Sequence, residues 1–371
     1  MVDYPENWKT LRVALAHDWL TGMRGGEKVL EILCDGFPDA EVYTLLHNPN
    51  AVSPAINSHK VHTSPLQGVP GIARNYRRFL PFFPAAVSRL KPSDVDLLVS
   101  TSHCVAKALC PPAGARHLCY CFTPMRYAWT FYNEYFGTSH LKALVFKPVL
   151  AALRRWDRRT ARRVDRFVAI SRHVAARIRK FYGRESDIVH PPVDTAFFTT
   201  GPEQRADFDL VVSALVPYKR IDLAVTAYTR TGRKLKIVGV GGELPRLRRL
   251  AGPNVEFLEW SADEDIRNLY RTARCLVFPG EEDFGIVPLE AQACGCPVVA
   301  YGRGGALETI KDGVSGIFFD AQTEASLLTA VDRCTSAPWD PAAIRAAAEP
   351  FGPQAFVDGL ATAIDRCLTQ L

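Results

Sequence analysis

The residues between Glu281 and Gly305 combine acids and glycines in a spacing that suits ligand chemistry. Glu282 and Glu290 are eight residues apart, and Gly285 lies between them. A turn at Gly285 that opens a helix would leave backbone N–H groups available to an anionic or hydroxylated ligand. A carboxylate on either side of such a turn suits a molecule that carries both a phosphate and vicinal hydroxyls.

An apolar strand and a helix must position these residues. The run from Cys275 to Pro279 predicts a buried strand, and Ala291 to Ala293 continue a helix after the turn. In an open sheet of parallel strands, ligands bind outside the carboxyl ends of the strands. We therefore expect Glu282 on the loop at this edge and Glu290 inside the helix.

Short runs of Val, Ile and Leu alternate with helix-like segments through most of the chain, which is typical of parallel sheets covered by helices. A chain of 371 residues also exceeds the size at which one core usually stops growing. The sequence predicts two doubly wound α/β domains. The candidate strands are 11–17, 96–100, 117–121, 167–171, 209–214, 235–239, 255–258, 275–279 and 297–301.

The domain boundary is predicted at His190-Pro191-Pro192, because proline disfavours helix at its own position and at the preceding one. The N-terminal domain would cover residues 1–190 and the C-terminal domain residues 191–352. Apolar residues spaced four apart predict a terminal helix over 353–371. We expect this helix to pack back on the N-terminal domain.

The composition, with 47% hydrophobic and 23% charged residues, is that of a folded protein. No long apolar run or signal-peptide pattern occurs, so we expect a cytoplasmic location. Ten cysteines then indicate reduced thiols, and the pairs Cys119/Cys121 and Cys294/Cys296 are interpreted as buried thiols rather than metal ligands. The phosphate-binding patterns G-x-G-x-x-G and G-x-x-x-x-G-K-[ST] are absent, which argues against dinucleotide and P-loop enzymes.

Six arginines between Arg154 and Arg163 would share one side of a helix, with apolar residues on the other side. This basic face could simply be solvated. It could instead attract anionic lipid headgroups at the inner face of the membrane, or a diphosphate-bearing acceptor. No nucleic-acid-binding module accompanies the charge, so nucleic acid is not an expected partner.

The Glu-x7-Glu spacing, followed by Cys-Gly-Cys-Pro-Val-Val-Ala and then by residues 302–308, resembles the donor-binding signature of family 4 retaining glycosyltransferases. The resemblance covers nearly the full chain. It implies a GT-B fold, in which two Rossmann-like domains face each other across a cleft. The other similar blocks are His17-Asp18-Trp19, Gly25-Gly26-Glu27-Lys28, the segment 213–220 and the glycine loop Gly239-Val240-Gly241-Gly242.

The resemblance implies a nucleotide-sugar donor bound by the second domain. Lys219 and Arg220 would stabilise the departing diphosphate, whose negative charge grows in the transition state. Glu282 would lie against the sugar hydroxyls, and Glu290 would bind the ribose or, alternatively, serve only as a helix cap or ion-pair partner. The implied donor-binding residues are Gly25, Gly26, Lys219, Arg220, Phe284, Gly285, Ile286, Val287 and Glu290.

No cofactor and no metal are expected, because positive side chains would replace a divalent cation. The D-x-D element Asp94-Val95-Asp96 is interpreted as a turn and the start of a strand.

The candidate catalytic residues are Glu282, Lys219, His103 and Arg126. His103 ends a predicted strand of the first domain and could contact a ligand or belong to the core. The block from Tyr120 to Trp129 resembles that of O-antigen mannosyltransferases of this family, but Phe122 stands where many relatives carry a histidine. His103 or Arg126 would then cover that role.

The resemblance implies transfer of a hexose, mannose from GDP-mannose, to a polyprenol-linked or other surface-polysaccharide acceptor, with an anionic membrane surface as a partner. Ala214 is a second departure, because many relatives carry an arginine there. Two alternatives stay open: a nucleotide-sugar epimerase or hydrolase of the same fold, and a non-catalytic subunit that binds a nucleotide sugar or a lipid.

Overall fold

The computed structural model describes residues 2–129 and 140–369. The chain folds into two compact units. The first contains the chain up to Pro191 and again from Phe356 onward, and the second runs from Pro192 to Ala355. The two consecutive prolines at the crossing disfavour helix, so the chain passes between the units as an extended segment.

The first unit is built around a parallel sheet that has seven strands in its described part, in the order β3-β2-β1-β4-β5-β6-β7. The strands are β1 Val13–His17, β2 Glu41–Thr44, β3 Val61–Thr63, β4 Leu97–Ser102, β5 Arg116–Cys121, β6 Arg166–Ala169 and β7 Asp187–Ile188. Every residue of β1 and β4 is buried, because helices cover both faces of the sheet. The strand order reverses between β1 and β4, which makes their carboxyl ends the expected ligand-binding edge.

The helices of the first unit fill the connections between these strands. They are α1 Gly25–Gly36, α2 Pro54–Asn57, α3 Ile72–Asn75, α4 Phe83–Val87, α5 Arg126–Trp129, α6 His140–Ala161 and α7 Arg172–Tyr182. Helix α7 shows why such segments begin and end where they do. Ser171 caps its N-terminus by accepting a hydrogen bond from Val174 N, and Gly183 ends it with φ 66°.

The second unit contains a parallel sheet of six described strands in the order β10-β9-β8-β11-β12-β13. The strands are β8 Asp209–Val212, β9 Leu235–Val238, β10 Val255–Glu259, β11 Leu276–Phe278, β12 Val298–Tyr301 and β13 Gly316–Phe319. The helices are α8 Ile221–Thr231, α9 Leu244–Leu250, α10 Asp263–Thr272, α11 Ile286–Ala293, α12 Ala306–Thr309, α13 Glu324–Ser336 and α14 Pro341–Ala348. The fold class predicted from the sequence, two doubly wound α/β domains, is confirmed.

The last helix, α15 Pro353–Thr369, packs on the first unit. The ring of Phe356 meets the ring of Tyr120 edge to face, with centroids 5.5 Å apart. Arg366 Nη1 lies 3.2 Å from Asp187 Oδ1. The chain therefore returns to the first unit after the second is complete. Residues 370 and 371 of the predicted terminal helix lie outside the described residues.

A buried ion pair joins the loop after β4 to α6. Lys107 Nζ lies 2.6 Å from Asp157 Oδ1, and neither side chain is more than marginally accessible. Asp157 Oδ2 also accepts hydrogen bonds from Trp129 Nε1 at 2.7 Å and from the Tyr182 hydroxyl at 2.9 Å. One carboxylate thus holds three helices and a loop together.

The paired cysteines Cys119/Cys121 and Cys294/Cys296 are buried free thiols. Within residues 2–129 and 140–369, no three or more His, Cys, Asp or Glu side chains gather as metal ligands would. None of the helices in these ranges combines the length and apolar character needed to cross a lipid bilayer.

Candidate active site

The carboxyl ends of β8 and β11 bring Lys219 and Glu282 together in the second unit. Lys219 Nζ forms an ion pair with Glu282 Oε1, and the two side chains are 15% and 18% exposed. Lys219 belongs to a short turn after β8, and Glu282 follows β11, which is the neighbouring strand. Gly280 permits this approach, because a Cβ there would lie 2.8 Å from Lys219 Cα. A cation and a carboxylate therefore sit side by side at the edge where ligands bind.

Gly304 and Gly305 hold the loop that carries Glu282. Gly305 N donates to Glu282 O at 2.8 Å. A Cβ on Gly304 would lie 2.4 Å from Glu282 O, and one on Gly305 would lie 2.2 Å from Phe284 Cα. These glycines are required by close backbone packing, so their contribution is to fix the position of Glu282.

The turn before α11 and the first two residues of that helix contain four of the predicted donor-binding residues. Gly285 adopts φ 101°, a left-handed conformation that favours glycine, and α11 begins at Ile286. Ile286 and Val287 are half-buried at the helix N-terminus, where backbone N–H groups lie. Phe284 is buried against the ring of Phe351, with centroids 5.9 Å apart. Phe284 is therefore a packing residue of this turn, while the backbone of Ile286 and Val287 lies where a ligand could reach it.

Glu290 lies in the middle of α11 and is half-buried. Its Oε2 accepts a hydrogen bond from the Tyr270 hydroxyl at 3.1 Å. Burial, and then the charge of Glu290, raise the pKa of Tyr270 well above its usual range. This hydrogen bond from α10 is neither the helix cap nor the ion pair of the alternative interpretation.

Arg220 is held differently from Lys219. It adopts φ 53° at the start of α8. Its Nη1 donates to Gln322 Oε1 at 3.0 Å, and its Nε donates to Asp222 Oδ1 at 3.3 Å. Gln322 in turn donates to Pro279 O, at the end of β11. Arg220 therefore braces the loop beside Lys219, and Lys219 is the cation in direct contact with Glu282.

The glycine loop after β9 packs against the segment after β8. Gly239 has φ 143°, and a Cβ there would lie 1.8 Å from Ser213 O. A Cβ on Gly241 would lie 2.2 Å from Leu215 O, whereas a Cβ on Gly242 would meet nothing within 4 Å. Two of the three glycines are therefore explained by backbone packing.

Gly241→Ala is expected to destabilise the second unit by about 1–3 kcal/mol, because the new methyl group must displace backbone. Gly242→Ala, the matched control one residue away, should change the free energy of unfolding by less than about 0.5 kcal/mol. Urea unfolding of both variants measures the difference. Equal stability of the two would contradict the packing explanation.

In the first unit, Asp18 organises the loop that carries His103. The Asp18 carboxylate is fully buried and accepts hydrogen bonds from the backbone N–H groups of His103, Cys104, Val105 and Ala106, at 2.6 to 2.9 Å. Its Oδ2 also lies 3.0 Å from His103 Nδ1. Burial lowers the pKa of His103. A neutral His103 that donates its Nδ1 proton to Asp18 presents Nε2 as an acceptor.

His17 and Glu27 form a second buried pair beside this loop. Thr101 Oγ1 donates to Ala16 O at 3.1 Å and therefore accepts the Nδ1 proton of His17 at 2.7 Å. This leaves His17 Nε2 as an acceptor, 3.9 Å from Glu27 Oε1. Burial lowers the pKa of His17 to about 4 and raises the pKa of Glu27 to about 7. Both groups are therefore uncharged in mildly acidic solution.

Glu27→Gln is expected to become more stable relative to the wild type as the pH rises. The pKa of Glu27 is higher in the folded chain than in the unfolded one, so its contribution is full below about pH 4.5 and is lost as the pH rises to about 7. Glutamine does not titrate. The difference in unfolding free energy should grow by about 3 kcal/mol between pH 4.5 and pH 8.

Denaturant unfolding at several pH values measures this difference. A pH-independent difference for Glu27→Gln would show that Glu27 is charged throughout.

The remaining predicted residues of the first unit lie at the same edge. Arg126 begins α5. Burial lowers the pKa of His103, the charge of Arg126 lowers it further, and the charge of Asp18 opposes both. Gly25 begins α1. A Cβ on Gly26 would lie 3.3 Å from the ring of Phe122, so this glycine leaves room for the phenylalanine.

The predicted site residues therefore form one set in each unit. Asp18, His17 and Glu27 are not among the predicted site residues, although the structure places them beside His103 and Gly26. His17 ends a buried strand and Asp18 directly follows it, and this placement is the sequence signal that could have identified both residues. Nothing in the spacing indicates that Glu27 turns inward from the first turn of α1.

Two family models match the chain. Residues 23–197 match the model described as Glycosyltransferase Family 4, and residues 193–349 match the model described as Glycosyl transferases group 1. The two matched segments follow each other with a short overlap and together extend over residues 23–349.

Curated relatives match about half of the chain. A D-inositol 3-phosphate glycosyltransferase of Acidothermus cellulolyticus is 34% identical over 202 residues, which cover 46% of this chain and 45% of the relative. A GDP-mannose-dependent alpha-(1-6)-phosphatidylinositol monomannoside mannosyltransferase of Mycolicibacterium smegmatis is 33% identical over 205 residues, 47% of this chain and 54% of that protein. The chain spans about half the length of these relatives.

Solved structures share the fold at low sequence identity. A sucrose-phosphate synthase from Thermosynechococcus elongatus superimposes with a TM-score of 0.69 at 17% identity, covering 96% of this chain and 99% of that one. Anabaena HepE in complex with UDP gives a TM-score of 0.67 at 17% identity, covering 96% and 100%.

Proposed function

We propose that the chain is a glycosyltransferase of the GT-B fold, and that it transfers a hexose from a nucleotide sugar to an acceptor hydroxyl with retention of configuration. The observation that carries the proposal is the pairing of Lys219 with Glu282 at the carboxyl edge of the second sheet. The donor is proposed to be GDP-mannose, and the acceptor a polyprenol-linked or other surface-polysaccharide chain.

Lys219 and Glu282 are proposed to bind different parts of the donor. Cleavage of the bond between the sugar C1 and the phosphate oxygen places negative charge on the leaving diphosphate, and the Lys219 ammonium stabilises this charge. The Glu282 carboxylate accepts hydrogen bonds from the sugar hydroxyls. Without a ligand, Lys219 and Glu282 pair with each other. Donor binding would replace this ion pair with a contact between Lys219 and the diphosphate and a contact between Glu282 and the sugar.

Retention follows from attack on the same face of the sugar. The acceptor oxygen bonds to C1 as the phosphate oxygen departs, and the acceptor proton passes to that phosphate oxygen. This route requires no protein nucleophile, unlike that of a retaining glycoside hydrolase with two facing carboxylates. Glu282, the ion-pair partner of Lys219, is therefore proposed to bind the sugar hydroxyls and not to attack C1.

The proposal needs no divalent cation at the diphosphate, because Lys219 supplies positive charge there and Arg220 lies next to it. The D-x-D element is engaged elsewhere. Arg12 Nη2 lies 2.7 Å from Asp96 Oδ1, and Arg12 also pairs with Asp94. Both carboxylates of this element therefore pair with Arg12, which directly precedes β1.

Mannose from GDP-mannose is supported by the Mycolicibacterium smegmatis relative, whose name specifies a GDP-mannose-dependent mannosyltransferase. A structural neighbour, Anabaena HepE, was solved in complex with UDP-glucose, so the test includes that nucleotide sugar. We propose that the first unit binds the acceptor, with His103 and Arg126 at the hydroxyl that attacks.

The test is to incubate the purified chain with GDP-mannose, UDP-glucose and UDP-galactose, together with an acceptor-containing membrane extract. We expect a glycosylated product from GDP-mannose, with the anomeric configuration of the donor in its NMR spectrum. No donor-dependent product across the panel would overturn the proposal. An epimerised sugar nucleotide formed without acceptor would indicate the epimerase alternative.

A non-catalytic nucleotide-sugar-binding subunit is a second candidate, because Phe122 occupies the space beside His17 and His103. Its ring centroid lies 6.3 Å from that of His17 and 6.4 Å from that of His103. Tight binding of GDP in calorimetry, without turnover on any acceptor, would favour this candidate.

A lipid-linked acceptor would bring the chain to an anionic membrane, and helix α6 is the proposed contact. Its arginines are not equivalent. Arg154 donates to Ala128 O at 2.6 Å, Arg158 donates to Phe181 O at 3.0 Å, and both guanidinium groups lie over the Trp129 ring. The helix ends at Ala161, so Arg162 and Arg163 lie just beyond it, which corrects the prediction of one helix face for all six arginines.

Replacing Arg155, Arg159 and Arg162 with glutamine is expected to weaken binding to anionic vesicles by about 100-fold at low salt, since each arginine near such a surface contributes about 1 kcal/mol. These three arginines are exposed. Vesicle sedimentation at low and high salt measures the loss. Replacing Arg249, Lys311 and Arg333 of the second unit is the charge-matched control, and an equal loss in both variants would refute a specific role for this helix.

A further inference from the structure

Trp260 is 78% exposed, which is the largest value among the exposed large hydrophobic side chains of the described residues. It directly follows β10, at the same carboxyl edge of the sheet that carries Lys219 and Glu282. A single exposed apolar residue is common on a protein surface. The position of this indole at the ligand-binding edge of the sheet is what distinguishes it.

The backbone before Trp260 contains a register shift and a residue with positive φ. The pairing of β10 with β9 shifts register between Phe257 and Glu259, and Glu259 adopts the left-handed conformation with φ 55°. Gly239 N donates to Glu259 O at 2.6 Å, which anchors this bulge to β9. Bulges often re-aim side chains next to ligand sites. Trp260 therefore leaves the sheet from a fixed and strained backbone rather than from a loose loop.

The strand order places Trp260 and Glu282 along the same carboxyl edge of the sheet. Along the carboxyl edge, Trp260 follows β10, Val240 follows β9, Ala214 follows β8 and Glu282 follows β11. Three spacings of about 4.8 Å separate β11 from β10, or roughly 14 Å. Lys219 lies near the Glu282 end of this row. A nucleotide sugar with its hexose at Glu282 and its diphosphate at Lys219 would carry its base toward β9 and β10.

The chemistry of the edge at β9 and β10 suits a flat aromatic group. Val240, which follows β9 by two residues, is also exposed, at 50%. The exposed indole face of Trp260 offers an apolar surface to a nucleobase. Stacking on an aromatic face tolerates any base, and it grows with the overlap between the rings.

We propose that Trp260 is the stacking platform for the base of the donor nucleotide, and that it favours a purine over a pyrimidine. This inference rests on the proposed function, because it assumes that Lys219 and Glu282 bind the diphosphate and the sugar of the same ligand. The inference adds the residue that would contact the base of the donor.

Calorimetry of the full chain with GDP and with UDP tests the proposal. Trp260→Ala should weaken GDP binding by about 10- to 100-fold, and should weaken UDP binding less. Trp260→Phe, which keeps an aromatic face, should lose less than Trp260→Ala. Val314→Ala is the matched control, because Val314 is an exposed apolar residue that precedes β13 at the opposite edge of the sheet.

Tryptophan fluorescence gives a second readout. GDP should quench the wild-type emission, and Trp260→Phe should lose that quenching while the other five tryptophans still emit. Unchanged GDP affinity in Trp260→Ala, or a change in oligomeric state instead of affinity, would overturn the role of Trp260 and leave the proposed function standing. Failure of the wild type to bind any nucleotide would overturn the proposed function itself.

Discussion

Lys219→Ala is expected to lower kcat/KM for sugar transfer by about 10²- to 10³-fold, the loss typical of removing one group that stabilises transition-state charge. Lys219 is largely enclosed and lies against Glu282, so no water-exposed cation can simply take its place. Most of the loss should appear in kcat, because the charge on the diphosphate grows as the bond to the sugar breaks. Initial rates with the donor identified in the nucleotide-sugar panel measure the effect.

Two matched variants sharpen this test. Lys219→Arg keeps the charge and should retain more activity than Lys219→Ala. Arg220→Ala should lose less than Lys219→Ala, because Arg220 is engaged with Asp222 and Gln322. A larger loss for Arg220→Ala than for Lys219→Ala would transfer the leaving-group role to Arg220.

Lys107→Met is expected to destabilise the first unit by about 3–5 kcal/mol, the range for removing one partner of a buried ion pair. Asp157 would keep its hydrogen bonds from Trp129 and Tyr182 but would lose its buried counter-charge. For a unit of this size the loss corresponds to a fall in Tm of roughly 6–20 °C. Thermal and urea unfolding of the full chain measure it.

An exposed ion pair provides the control for this prediction. Arg179 and Glu185 pair on the exposed surface of the same unit, so Arg179→Met should leave the unfolding midpoint almost unchanged. Combining Lys107→Met with Asp157→Leu should recover part of the loss, because no buried charge is then left unpaired. A stability loss for Lys107→Met as small as that for Arg179→Met would contradict the buried-pair account.

The central strands were predictable from the sequence, and the partly buried strands at the edges of the first sheet were not. Strands that are buried on both faces contain mostly apolar residues, and such runs can be recognised in the sequence. These strands are β1, β4, β5 and β11. The candidate strands omit β2, β3, β7 and β13. β3 and β7 lie at the edges of the first sheet and contain no fully buried residue, so no apolar run marks them in the sequence.

The candidate site was predictable as a set of residues but not as a set of contacts. The motif around Glu282 and the motif around Lys219 are each visible in the sequence. Their ion pair depends on β8 and β11 being neighbours although β9 and β10 intervene in the chain. Periodicity likewise makes all six arginines near α6 look equivalent, whereas Arg154 and Arg158 are committed to Trp129.

A crystal structure of the chain with an intact nucleotide sugar tests the central claim most directly. It should show the hexose hydroxyls against Glu282, the diphosphate against Lys219 and the ion pair between these side chains broken. A donor bound with its diphosphate away from Lys219, or with that ion pair intact, would contradict the proposed site.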